Sequence, residues 1–414
     1  MEKITLKEFA LPLIKSIDSF NYLLKSHHRR VAVISYFIGL KMGLSEKYLT
    51  DLVIAAALHD IGALSVQERD MLIQEDVDRP EPHCIMGHRM LVNFSVFGDI
   101  AQIIKHHHIK FEDLRSIKDE VKIESHIIHL ADRIDISINP DVFILNQKQD
   151  IRDKVISKKG LIFHPEVCDA FLTAAKADIF WMEINNMTLE QVFNKLNTEL
   201  YYDLTREQMI EFALVVSRII DFRSKFTASH SFTVGQLAYN IGRNLGYDDD
   251  KCTKLLIAGY FHDIGKVGID TAYIEKPGPL SDEEFNLVKL HTYYTGQILN
   301  ELSKSEWFTD IIYWATHHHE KKDGSGYPYA KTDTELCEET KVVAFSDVIS
   351  ALMENRPYRA GMSAEKAFGI IEEKIAPAID SALFENIKKE INTLDLIVQD
   401  CQRESREIYT RNMK

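Results

Sequence analysis

The sequence predicts an all-α fold, two related helical-bundle domains joined by a helical linker, and three observations lead there. Ten prolines and eighteen glycines are few for 414 residues, so helix-breaking positions are sparse. Apolar residues recur at helical spacing, as in Val31, Ile34 and Ile38 and again in Leu255, Ala258 and Phe261. The chain also repeats itself: HHRRVAVISYFIGLKMGL followed by LVIAAALHDIG resembles HSFTVGQLAYNIGRNLGY followed by LLIAGYFHDIG, with His27 to His59 and His230 to His262 each spanning 32 residues.

The likeness continues along both halves. PHCIMGHRML stands beside KLHTYYTGQIL, the histidines His106 to His108 beside His317 to His319, and HIIHLADRIDI beside KVVAFSDVISAL. Helix starts of the capping-box type fall at Thr188 with Gln191, Thr205 with Gln208 and Ser281 with Glu284. The expected organisation is a first domain over 1–160, a helical linker over 161–204 containing KADIFWMEINNM, a second domain over 205–400 and a tail over 401–414.

Composition bounds the function. No run of about 18 apolar residues occurs, and the opening MEKITLKEF carries charge where a signal peptide needs an apolar core, so a cytoplasmic protein without a membrane span is expected. The five cysteines, Cys84, Cys168, Cys252, Cys337 and Cys401, are scattered and read as reduced buried thiols. A formal charge of -14 argues against binding a nucleic-acid polymer, and an anionic substrate would need a locally positive pocket.

The second half offers His230, His262, Asp263, His291, His318, His319 and Asp347 in order. A single histidine on a helix is more often a packed residue than a ligand, but seven nitrogen and oxygen donors in this order point to a metal centre. His262 and Asp263, about 100° apart on a helix, can both face one groove, and the carboxylate can be shared by two ions. Imidazole with carboxylate suits iron or manganese, with zinc, cobalt and nickel open. Two such ions activate water and neutralise phosphoryl oxygens, which points to phosphoester hydrolysis.

FHDIGKVGI, IEKPGPLSDEEF, KLHTYYTG, HHHEKKDGSGYP and SDVISALMENRPYR resemble the HD-GYP family in sequence and order, over nearly the whole C-terminal half. The DGSGYP segment, Asp323 to Pro328, is the most specific mark. The resemblance implies a metal-dependent phosphodiesterase that opens a cyclic dinucleotide with a hydroxide bridging two metals. Cyclic di-GMP, cut to pGpG or GMP, is the leading substrate and 3′,3′-cyclic GMP-AMP the alternative. It further implies Asp263 and Lys266 in catalysis, with Lys266, Arg356, Arg359 and Tyr327 meeting substrate. A diguanylate cyclase or other signalling protein is a candidate partner through the GYP loop, and a homodimer a candidate assembly.

Two departures stand out. Phe226 occupies the place where some members hold a third metal with glutamate, so two metals are expected; Ser350 replaces a frequent aspartate three residues after Asp347. His317 is expected outside the ligand set. The first half keeps His27, His59, Asp60, His83, His107, His108 and Asp132 as a candidate second metal site, but Ala63 stands in place of Lys266 and neither GYP nor RPYR follows. A regulatory HD domain, a phosphohydrolase for another ester and a scaffold are its three readings. For the whole chain, a receptor whose diiron or other metal centre switches a partner surface and an oxygen-handling diiron protein are the alternatives outside hydrolysis.

Overall fold

The computed structural model describes residues 2–18, 26–63, 81–196, 201–221, 229–354, 361–375 and 381–412. They are helical almost throughout, apart from a two-stranded sheet in which β1 (Glu2–Thr5) pairs with β2 (Tyr201–Leu204). The chain divides into two compact units, one holding Ile17–Tyr201 and the other Tyr202–Lys414 with short N-terminal pieces.

The first unit contains most of α1 (Leu6–Asp18), then α2 (His27–Met42), α3 (Glu46–Leu58), α4 (Glu81–Leu91), α5 (Gly98–Lys105) and α6 (Ile123–Ile136). Behind these follow α7 (Ile144–Lys158), α8 (Pro165–Ala174), α9 (Asp178–Asn186) and α10 (Leu189–Lys195). The centre is α2 against α3, where Val31, Val33, Ile34 and Ile38 meet Leu52, Ile54, Ala55 and Leu58, all fully buried. Helices α8, α9 and α10, in the stretch expected to link two domains, pack on α2 inside this unit. Trp181 closes that side, fully buried, with its indole donating to Ala175 O at 3.0 Å.

The second unit repeats the plan with α11 (Arg206–Asp221), α12 (His230–Asn244), α13 (Asp249–Phe261), α14 (Thr271–Ile274), α15 (Asp282–Leu299), α16 (Glu306–Thr316) and α17 (Glu338–Met353). Behind them lie α18 (Ala364–Ile370), α19 (Ser381–Lys388) and α20 (Ile391–Asn412). Its centre is α12 against α13, with Val234, Leu237 and Ala238 buried on Leu255, Ala258 and Phe261. Each fully buried Leu, Val or Phe contributes roughly 1.5–3 kcal/mol, so the helical spacing read in the sequence builds both cores.

All three expected helix starts form. In each, the backbone N–H of one residue donates to the other's side-chain oxygen: Thr188 and Gln191 at 2.8 and 3.2 Å, Thr205 and Gln208 at 3.0 and 3.3 Å, and Ser281 and Glu284 at 2.7 and 3.2 Å. The last holds the start of α15, which carries His291.

Candidate metal centre

In the second unit five elements converge on one cluster. His230 opens α12, His262 and Asp263 follow α13, His291 lies in α15, His318 and His319 follow α16, and Asp347 lies in α17. His262 was expected on a helix beside Asp263; instead it caps α13 and Asp263 leads into a tight turn. The reason is local. The last carbonyls of a helix lack partners, and the His262 ring fills one vacancy by donating from Nδ1 to Gly259 O at 2.7 Å. His318 does the same to Ala315 O at 2.7 Å, while His291, in the interior of α15, donates from Nδ1 to Val288 O at 2.6 Å.

Each of these bonds fixes the ring so that Nε2 faces the cluster. The Nε2 atoms of His262, His291 and His318 and Oδ1 of Asp263 are buried without a hydrogen-bond partner. Converging acceptors left unpaired in a dry interior are costly unless a cation occupies the space between them. The donor set therefore fits divalent metal.

The cluster has two lobes. His230, His262 and Asp347 bring ligand atoms within 4.8 Å of one another, and so do His291, His318 and His319. Asp263 faces both: Oδ2 lies 3.2 Å from His262 Nε2 and 3.6 Å from His230 Nε2, while Oδ1 lies 3.5 Å from His291 Nε2. Asp347 Oδ1 lies 3.1 Å from His230 Nε2, and its Oδ2 lies 4.0 Å from His319 Nδ1. Lys266 Nζ pairs with Asp263 Oδ2.

Electrostatics agree with this reading. Burial opposes ionisation of Asp263 and Asp347, yet His262 and Lys266 around the first and His230 and His262 around the second hold both well below the usual carboxylate range. Burial pushes His291 down to about 3 and His319 to about 4. Neutral imidazole and ionised carboxylate are the forms that bind metal. In His230 burial is outweighed by Glu354 and Asp347, which raise it to about 10. A cation at Nε2 would displace that proton, while Nδ1–H stays with Glu354.

Glu354 is the functional neighbour that motif reading missed. Its Oε2 accepts from His230 Nδ1 at 3.0 Å, alongside Ser350 Oγ at 3.2 Å. The carboxylate absent at position 350 is thus supplied one helical turn later. The spacing of Asp347, Ser350 and Glu354, three and four residues apart, is the signal that could have found it.

The GYP segment folds back on the cluster. Gly326 is tight: a Cβ there would stand 2.5 Å from Glu320 Cα and Lys321 N. Buried Glu320 accepts from Tyr329 N at 2.7 Å and Lys331 N at 2.9 Å, which pins the loop beside Tyr327. The Tyr327 ring lies 4.8 Å from that of His319. His317 takes no part in the cluster; it stacks between Tyr313 and Tyr329, at 4.0 and 4.7 Å. A solvent-open recess adjoins the cluster and is lined by His318, His319, Tyr327, Lys322, Lys341 and Val348. Arg356, Arg359 and Phe226 lie outside the described residues.

The first unit brings its own candidates together in the same pattern. His27, His59 and Asp132 form one lobe and His83, His107 and His108, joined by Cys84, the other. Asp60 reaches His59 Nε2 and His83 Nε2, each at 3.4 Å. His59 and His107 donate from Nδ1 to Ala56 O and Ile104 O at 2.8 and 2.7 Å. Asp135, at the position of Ser350, accepts from His27 Nδ1 at 2.7 Å. Arg133 pairs with Asp132 at 2.7 Å, and buried Ala63 stands where the second unit has Lys266.

Comparison with known proteins matches this duplication. Family models described as HD domain match residues 24–137 and, separately, residues 214–383. The chain is 26% identical over 401 residues to the 3′3′-cGAMP-specific phosphodiesterase 1 of Vibrio cholerae, covering 93% of this chain and 91% of that protein. It is 32% identical over 256 residues to the 3′3′-cGAMP-specific phosphodiesterase 3 of the same organism, covering 61% and 55%. The cyclic di-GMP phosphodiesterase of Thermotoga maritima is 31% identical over 204 residues, covering 49% and 52%. The fold also matches the crystal structure of a cyclic GMP-AMP-specific phosphodiesterase of V. cholerae, with a TM-score of 0.61 and 23% identity over 94% of this chain and 98% of that one. The chain therefore carries two HD domains in tandem, one over residues 24–137 and one over residues 214–383.

Proposed function

We propose that the second unit hydrolyses a phosphodiester bond of a cyclic dinucleotide, and that its substrate is 3′,3′-cyclic GMP-AMP ahead of cyclic di-GMP. The observation that carries the reaction class is the two-lobed ligand cluster shared through Asp263, with Lys266 on the same carboxylate. The order of substrates reverses the sequence expectation. It rests on the cyclic GMP-AMP-specific relative that spans 93% of this chain, whereas the Thermotoga cyclic di-GMP enzyme aligns with 49% of it.

His230, His262 and Asp347 would hold one divalent ion and His291, His318 and His319 the other, with Asp263 between them. Iron or manganese suits these donors, with zinc, cobalt and nickel also compatible. Bound there, such ions supply an activated water and charge neutralisation for the phosphoryl group. The chain does the rest. Histidine Nδ1–H bonds to backbone carbonyls keep the rings aimed; Glu354 holds His230. The Lys266 ammonium, partly exposed beside Asp263, is placed to bond a phosphoryl oxygen or the departing ribose oxygen. Water adds to phosphorus, the bond to that ribose oxygen breaks and a proton restores its hydroxyl, leaving a linear dinucleotide with a terminal phosphate. The Tyr327 ring and the lysine-rimmed cavity offer a base-sized recess and answer the overall charge of -14.

The test is turnover of the two cyclic dinucleotides at matched concentration by protein purified without oxygen and loaded with manganese or iron. Faster opening of cyclic GMP-AMP supports the substrate order; preference for cyclic di-GMP reverses it. Hydrolysis of neither removes the enzyme reading and favours a receptor.

A further inference from the structure

His83 and Cys84 sit in the first turn of α4, in the N-terminal unit. Cys84 Sγ lies 3.6 Å from His83 Nε2, and one ligand-capable atom from each of His83, Cys84, His107 and His108 falls within 4.8 Å of the others. All but His108 are buried. With His107 Nδ1 donating to Ile104 O, its Nε2 faces His83 Nε2 at 3.3 Å. Beside them, fully buried His59 Nε2 and Asp60 Oδ1 have no hydrogen-bond partner. The same helix position in the second unit, directly after His291, is Thr292, whose hydroxyl turns back to Lys289 O at 2.9 Å. The two clusters therefore share six imidazole and carboxylate positions besides Asp60 and Asp263, and the sulfur of Cys84 occurs only in the first.

We infer that the N-terminal unit holds a divalent cation on a mixed nitrogen and sulfur set, His83, Cys84, His107 and His108, with Cys84 coordinating as the thiolate. Three imidazoles and a thiolate are the donors of a borderline-soft ion that accepts four-coordination, such as zinc, ferrous iron or cobalt; manganese and magnesium prefer oxygen. The nitrogen and oxygen donors of the second unit carry no such bias. The two units thus differ in metal preference, and the N-terminal one carries the oxidisable ligand. This stands independently of what the second unit hydrolyses.

X-ray absorption of the zinc-loaded full chain reads the donor directly: a sulfur scatterer is expected at about 2.3 Å. Cobalt loading gives an independent signal, a thiolate-to-metal charge-transfer band. Both are expected to vanish in Cys84→Ser and Cys84→Ala, carried together because either buried substitution can perturb folding, and to persist in His262→Ala with Asp263→Ala. Absence of sulfur in the wild-type zinc spectrum overturns the assignment, whatever the variants do. Persistence of the scatterer in a Cys84 variant with native circular dichroism overturns it equally.

Discussion

At the residue scale, the aim of each imidazole is set by the group on its far nitrogen. Groups that orient a metal-binding histidine typically change affinity or activity by about 10–100-fold when removed. Glu354→Ala is therefore expected to weaken metal binding in the second unit by roughly that factor, measured by manganese titration; Ser350→Ala, which removes a neutral acceptor at 3.2 Å, should cost less. Equal effects would place the restraint elsewhere. Lys266 acts differently. Lys266→Ala is expected to leave metal content intact and to lower turnover on the order of 10²–10³-fold, as loss of one charge-stabilising donor does. That the candidate ligands come together was legible in the sequence, because seven donors recur in a fixed order at two places in one chain. Glu354 was not, since it belongs to no motif and matters only through its place one turn beyond Ser350. Cys84 is a free buried thiol as read from the sequence, but its place beside His83, His107 and His108 was not legible, because a cysteine's neighbours across a fold leave no mark on its local sequence.

At the element scale, the cluster depends on helix ends meeting a turn. Gly265 lets the HDIG turn lie directly on α15, where a Cβ would collide with the His291 carbonyl and Thr295 N; Thr295 Oγ1 closes the contact by accepting from Gly265 N and donating to His262 O, both at 3.0 Å. Gly265→Ala is expected to lose at least 1–3 kcal/mol, about the cost of overpacking, together with bound metal, read by thermal unfolding and metal analysis. Retention of both would show that α15 can move away freely. A second element-level device is Asp221, which accepts from Ser231 N and Phe232 N at 3.1 and 3.3 Å and so caps the helix that carries His230. Burial raises it to about 7, against the lowering effect of Ser231. The folded state then holds a proton that the unfolded state has released between about pH 7 and the ordinary carboxylate range near 4. Over that window this group adds stability as pH falls. Asp221→Asn should remove that contribution, and an unchanged slope of stability with pH would contradict it. The helices were legible through their period and capping boxes. The ends of α13 and α16 were not, because there a histidine ring continues the hydrogen-bonding of the helix after its backbone has turned away.

At the scale of the whole molecule, one plan is written twice and specialised differently. Both units keep the shared aspartate and the paired lobes, while Lys266 and the GYP loop occur in the second and Cys84 and Asp135 in the first. Among the described residues no helix is long and apolar enough to cross a membrane. The recess beside the cluster was the least legible feature, because its walls come from the histidine loop, the GYP segment and α17, which the sequence does not set side by side. The proposed hydrolysis belongs to the second unit's histidine and aspartate cluster. The most direct test is turnover of cyclic GMP-AMP by the metal-loaded full chain, compared with His262→Ala plus Asp263→Ala shown by circular dichroism to be folded. The wild type is expected to give a linear product and the variant none; undiminished turnover by the variant would place the hydrolysis elsewhere in the chain.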